Sequence, residues 1–285
     1  MAAVTAPSAA VLRAQRLYRF FHAGDEEVVA LCGVSVQLAA GEWVAVTGPS
    51  GSGKSTLLQC LAGLDEPDGG DVWVAGQRIT RRPDTDRARL RAKYIGVLHQ
   101  SGNLLEHLTI GQQIRFARRL AGQRHDAGVV DRLLGAVGLD GRGRALPGQL
   151  SGGEAARASL AVALANDPPV LIADEPTGEL DAFTERAVLS LLAARAVAGT
   201  AVLVASHSRA VTRAAHRVVE LHDGRVHQAD TRTADRTADR TADRTADRAA
   251  DRAADRAADR AADRAADRAE DGGTDRGTDR TGHDG

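Results

Sequence analysis

The run Gly48-Pro49-Ser50-Gly51-Ser52-Gly53-Lys54-Ser55-Thr56 constrains this chain more than any other part of it. It fits G-x-x-x-x-G-K-[ST], follows a short apolar stretch from Trp43 to Thr47, and opens a helix-forming run from Lys54 to about Ala62. Strand, glycine-rich loop and helix in that order point to an α/β core. The glycines let the backbone wrap closely around phosphates, with successive N–H groups and the helix N-terminus facing the anion. Lys54 offers a mobile point charge to β- and γ-phosphates, where an arginine would present a wide planar fork. The choice stands out because Lys54 and Lys93 are the only lysines in an arginine-rich chain. The Ser55 hydroxyl can ligate Mg²⁺.

A second element is Val170-Leu171-Ile172-Ala173-Asp174-Glu175. An apolar strand here delivers two adjacent acids at its C-terminal end, where ligands bind in parallel sheets. Asp174 can hold Mg²⁺, and Glu175 can accept a proton from an attacking water. A third element, Leu150-Ser151-Gly152-Gly153-Glu154, precedes another helix and presents a hydroxyl and glycine N–H groups at its N-terminus. This is a second anion site. One chain binding one nucleotide does not need two, so a symmetric dimer is expected, each chain's second site closing on its partner's nucleotide.

Composition narrows the class. The net charge of −1 over 285 residues argues against a dedicated nucleic-acid binder. Cys32 and Cys60 are the only cysteines, which suits a reduced compartment. The Ala-rich start, Met1 to Ala10, lacks the pattern of a signal peptide. The longest apolar candidate for a membrane span, Ala187 to Ser206, contains Arg195 and a Gly199-Thr200 break. It reads as a helix, a turn and a buried strand, so the protein is expected to be soluble by itself.

Along the chain, strands are expected at Val11 to Phe21 and Val34 to Leu38, flanking a charged turn at Asp25-Glu26-Glu27. Further strands are expected at Val72 to Ala75 and Ile95 to Leu98, with a helix capped by Asp84 and reaching Lys93 between them. Thr109 to Leu146 reads as helices with Gly138 as a C-terminal stop, an all-helical interruption of the α/β pattern. The pattern resumes with a helix from Gly152 to Leu164, the strand Val170 to Ala173, a helix from Ala182 to about Val197, the strand Ala201 to Ala205, and a hairpin turning at Asp223-Gly224. The domain is expected over 11–228. From 229 to 285 the chain is a low-complexity tail, with Thr-Ala-Asp-Arg repeats from Thr233 to Arg248 and Ala-Ala-Asp-Arg repeats from Ala249 to Arg268. A four-residue repeat drifts around a helix of 3.6 residues per turn, so no fixed apolar face forms. The tail is expected to be disordered or a marginal lone helix, and no chemistry is assigned to it.

Together these motifs resemble the ABC transporter ATPase family from about Arg13 to Val226. Lys54 lies in the Walker A loop, Asp174-Glu175 in Walker B, and Leu150 to Glu154 is similar to the family signature. Gln100 looks like the Q-loop glutamine that reports to Mg²⁺, Asp181 lies in a D-loop-like Gly178-Glu179-Leu180-Asp181, and His207 looks like the H-loop histidine that contacts the γ-phosphate. The subgroup resemblance is to lipoprotein-release, macrolide-export and cell-division ATPases. It is carried by Phe21-His22-Ala23-Gly24-Asp25, by Gly102 to Thr109, and by Ala173 to Gly178. The family's adenine-stacking aromatic then falls on Phe21, with Tyr18 or Phe20 as alternatives. Ala155-Ala156 depart from the glutamines usual after the signature, and His99 from the common aromatic or apolar residue.

The resemblance implies a P-loop α/β core with an antiparallel β region and an inserted helical lobe at about 101–165. It implies Mg²⁺-dependent hydrolysis of ATP, with Lys54, Gln100, Glu175 and His207 catalytic, and Ser55, Gln100 and Asp174 around the metal. It also implies a homodimer, or pairing with a similar ATPase, that drives a separately encoded membrane permease from the cytoplasmic face. Two other roles stay open: regulating a membrane scaffold, and a soluble function in translation or DNA repair.

Overall fold

The computed structural model describes residues 10–23, 26–124 and 126–231. From residue 232 the repeat tail lies outside the described residues. Ten strands and seven α-helices follow in the order β1 (Leu12–Ala23), β2 (Glu26–Leu38), β3 (Trp43–Thr47), α1 (Lys54–Leu61), β4 (Gly69–Val74), β5 (Gln77–Arg78), α2 (Asp84–Tyr94), β6 (Ile95–Leu98), α3 (Ile110–Leu120), α4 (Val129–Ala136), α5 (Gly152–Ala163), β7 (Val170–Asp174), α6 (Ala182–Val197), β8 (Ala201–Ala205), α7 (Arg209–Ala214), β9 (Arg217–His222) and β10 (Arg225–Thr231).

The central sheet runs β10-β9-β3-β8-β7-β6. All its pairings are parallel except the β9–β10 hairpin. Its inner strands β3, β8 and β7 are apolar on both faces because both faces are covered, as parallel sheets require. Val44 and Val46 of β3 and Leu203 of β8 enter a core shared with α1 and the second sheet. Trp43, Ala45, Val202 and Val204 point the other way, into a core shared with α6 and α7. The second sheet is antiparallel, in the order β2-β1-β4-β5.

Helices α3, α4 and α5 lie between β6 and β7 in the chain and keep a core of their own, centred on Ile110, Ile114, Leu134 and Ala158. Thr109 and Gln112 close a capping box at the start of α3. Gly138, at φ +67, follows α4 as its stop.

Several local readings shift. Glu26 and Glu27 belong to β2, paired with Ala23 and His22, and are not turn residues. Strand β2 is an edge strand, where charge is tolerated. Pro83, not Asp84, is the residue before α2, and Asp84 is its first helical residue with no capping bond. Pro at a helix start brings a preset φ, so no side-chain cap is needed to begin the turn. The short β5 and α7 carry too few residues for a readable period. Strand β10 carries the fold past residue 228 to Thr231.

Candidate nucleotide site

Strand β3 lies between β9 and β8 and ends at Thr47, so the next residues leave the sheet at its centre. The loop then passes too close to its neighbours for side chains. A Cβ on Gly48, at φ +144, would stand 2.0 Å from the carbonyl oxygen of Leu221. One on Gly53, at φ +98, would stand 2.3 Å from that of Ala30. Gly53 is also the residue before α1 and supplies no side-chain cap, which leaves the helix's first N–H groups facing the loop. Lys54 is 8% exposed and its Nζ donates to the carbonyls of Gly48 (2.8 Å) and Pro49 (2.9 Å).

A cleft of about 800 Å³ opens over this loop. Ser50, Gly51, Gly53, Lys54, Ser55 and Thr56 line it from one side, and Asp174, Glu175 and His207 from the other, with Gln100 and Phe21 also on its wall. Gly48, Pro49 and Ser52 do not line it, Ser52 being buried.

The acids arrive as expected from β7. Asp174 pairs with Ala205 at the end of the β7–β8 ladder. Glu175 then takes φ +46, a left-handed conformation that costs a residue with a Cβ about 1–3 kcal/mol. Its own N–H still donates to Ala205 O at 2.9 Å. The twist turns its carboxylate onto the residues after β8. Ser206 Oγ donates to Glu175 Oε2 at 2.8 Å, the His207 amide donates to Oε1 at 3.1 Å, and His207 Nε2 lies 3.6 Å from Oε1. Gln100 sits in a loop clasped by Asn103, whose Oδ1 accepts from His99 N and whose Nδ2 donates to His99 O. That clasp involves only the backbone of His99, so the unusual side chain there leaves it unchanged.

Phe21 is 39% exposed, and the Arg19 guanidinium stands 4.7 Å from its ring centre. Arg19 is itself held by Asp65 (2.8 Å) and Asp68 (3.2 Å). One ring face is thus backed by a fixed cation. Tyr18 and Phe20, the alternatives, stack on each other at 6.4 Å, and neither lines the cleft.

None of residues 150–154 lines that cleft. Ser151 heads α5 in a capping box: its Oγ accepts from Glu154 N, and Glu154 Oε2 accepts from Ser151 N at 2.9 Å. This backbone bond, followed by Arg142 at 2.6 Å, brings the Glu154 carboxyl down to about 2. Gly152 lines a neighbouring groove with Gln100, Glu175 and Gly178. Asp181 caps α6, accepting from Phe183 N and from the amide and hydroxyl of Thr184. These bonds, the Thr184 amide first, lower its pKa. Sequence reasoning passed over Ser206 and Arg19, because their partners are distant in the chain.

A glycine loop on a helix N-terminus, facing two acids at the end of the adjoining parallel strand layer, defines a P-loop nucleoside-triphosphatase. A family described as ABC transporter matches residues 31–178. The lipoprotein-releasing system ATP-binding protein LolD of Xylella fastidiosa is 41% identical over 225 residues, covering 78% of this chain and 92% of that protein. The macrolide export ATP-binding/permease protein MacB of Photorhabdus laumondii is 37% identical over 76% of this chain, which spans only 34% of its length. Among solved structures, the dimeric ATP-binding cassette MJ0796 in a post-hydrolysis state with ADP and Pi has a TM-score of 0.72 and 30% identity, covering 77% of this chain and 98% of that one. The chain belongs to the ABC transporter family as an ATP-binding, ATP-hydrolysing subunit, and its relatives are of the lipoprotein-release and macrolide-export kind. Among the described residues, no helix is long and apolar enough to cross a membrane.

Proposed function

We propose that the chain works as a homodimer, or beside a similar ATPase, at the cytoplasmic face of a membrane, where ATP binding and hydrolysis drive a separately encoded permease. The length match to LolD, a protein named only as an ATP-binding component, supports a permease on another chain.

In this reading Gly48 to Thr56 cradle the phosphates through backbone N–H groups, and Lys54 swings its ammonium to the β- and γ-phosphates. Phe21 stacks on the base with the face that Arg19 leaves open. Ser55, Asp174 and Gln100 offer only oxygen donors from one cleft, a set that suits a hard cation such as Mg²⁺. When bound, that ion neutralises charge on the phosphate oxygens. Glu175 accepts a proton from water as the water oxygen bonds to the γ-phosphorus, and the bond from that phosphorus to the β–γ bridging oxygen breaks. ADP and phosphate result. His207 contacts the γ-phosphate, and Asp181 shapes the loop between Glu175 and α6. Leu150 to Glu154 serve the partner's ATP.

One observation carries this reading: a single cleft gathers the phosphate loop, Asp174, Glu175 and His207, while the second anion site stands outside it. Glu175→Gln should bind ATP and accumulate as a closed dimer, read by size exclusion with and without ATP. A variant that binds ATP and stays monomeric at all concentrations tested would sink the shared-site model.

A further inference from the structure

We infer that Ser206 is a positioning residue for the general base, holding the Glu175 carboxylate in the orientation from which it takes the proton. The inference rests on the reading of Glu175 as that base. Ser206 is 1% exposed, so its hydroxyl has no solvent to satisfy it. Its bonding is directed. The Ser208 amide donates to Ser206 Oγ at 3.1 Å, using an acceptor position of the hydroxyl. The hydroxyl proton is then directed to Glu175 Oε2, 2.8 Å away, because an ionised carboxylate can only accept.

Ser208 is itself fixed. It caps α7 by accepting from Ala210 N, and it donates to Glu185 Oε1 at 2.6 Å. Glu185 also accepts from Thr177 Oγ1, two residues after Glu175. The carboxylate therefore hangs from a frame anchored in α6 and α7, in a site whose backbone is already twisted to φ +46. With Oε2 held by Ser206, Oε1 accepts from the His207 amide at 3.1 Å and stands 3.6 Å from His207 Nε2, and in this reading it is the oxygen that takes the proton.

The test separates position from fold. Ser206→Ala removes one oxygen and should lower kcat for ATP hydrolysis about tenfold, as expected for a lost bond to a charged group. KM for ATP should stay as in the unmodified protein, and the melting temperature should fall by a few degrees, since the part-buried Ser208 amide loses its acceptor. In Glu175→Asp the shortened acid no longer reaches Ser206, so adding Ser206→Ala to it should change kcat less than about twofold. A single Ser206→Ala variant with kcat within about twofold of the parent overturns the inference. So does the same fold loss in both backgrounds, which would make the hydroxyl independent of Glu175. Glu175→Gln, assayed alongside, isolates the underlying reading: near-normal turnover there would reject Glu175 as base, whatever Ser206 does.

Discussion

The α/β core and the helical lobe each open a helix on a motif proposed as an anion site, yet the two are built differently. The core site opens at Gly53, a glycine with no side-chain cap, beneath a loop pressed against β2 and β9. The lobe site opens at Ser151, whose own capping box with Glu154 already pairs the Ser151 and Glu154 amides. Around the core site the strands are buried up to their last residues. The lobe keeps a smaller core and leaves Leu105, Phe116, Leu120 and Leu146 exposed. In the proposed function the site that wraps a ligand tightly is set in sheet ends, and the one that meets a second surface is set at the start of a lobe helix. Acids follow the same division: Glu175 is strained and aimed, whereas Glu154 is relaxed into a cap.

The comparison makes the two halves separable by mutation. The largest effect is expected in the core. Glu175→Gln should lower steady-state ATP turnover by about 10² or more while ATP affinity stays within a few-fold, because only the proton acceptor is lost. Next comes the lobe. Ser151→Arg should also stop turnover, yet leave ATP binding to the isolated chain intact, since Ser151 lies outside that chain's cleft. Mixing it with Lys54→Ala chains sharpens the contrast. The heterodimer holds one site built from an intact loop and an intact signature, and partial activity should return. Loss of ATP affinity in Ser151→Arg as deep as in Lys54→Ala would show that the signature acts on its own chain.

Phe21→Ala should be milder. It removes one stacking face, worth about 1–3 kcal/mol for a base on an aromatic ring, and should raise the ATP Kd about tenfold or more with little change in kcat. Tyr18→Ala should leave Kd unaltered, and titration calorimetry of both variants compares them directly. The smallest effect belongs to the relaxed acid. Glu154 has a folded pKa of about 2 against an ordinary 4.5. Its stabilisation is therefore full above 4.5 and fades as pH falls towards 2. Glu154→Gln keeps a cap acceptor but not the charge facing Arg142. Its melting temperature should lie slightly below the parent's at neutral pH and converge with it in acid. A gap that widens on acidification would contradict the assignment.

Much of this molecule was legible in one dimension because its chemistry is contiguous. The loop from Gly48 to Thr56, the acids after Ala173 and the serine and glycines at Ser151 each sit at the junction of a strand or loop with a helix, and short-range backbone geometry sets such junctions. The doubly covered strands were readable for a related reason: burial on both faces forces an unbroken apolar run. Strand β2 was only half visible, since an edge position tolerates the charges that looked like a turn. What the tertiary fold alone decided is how separate junctions meet. Val170–Asp174 and Ala201–Ala205 pair in parallel and end level, and only that register puts Ser206 and His207 against Glu175. Arg19 reaches Phe21 because Asp65 and Asp68, far along the chain, hold it there. Hydrogen bonds across 31 or 46 residues leave no local pattern in a sequence. They exist once the buried core has fixed the strand ends, and the orientation of the Glu175 carboxylate depends on them.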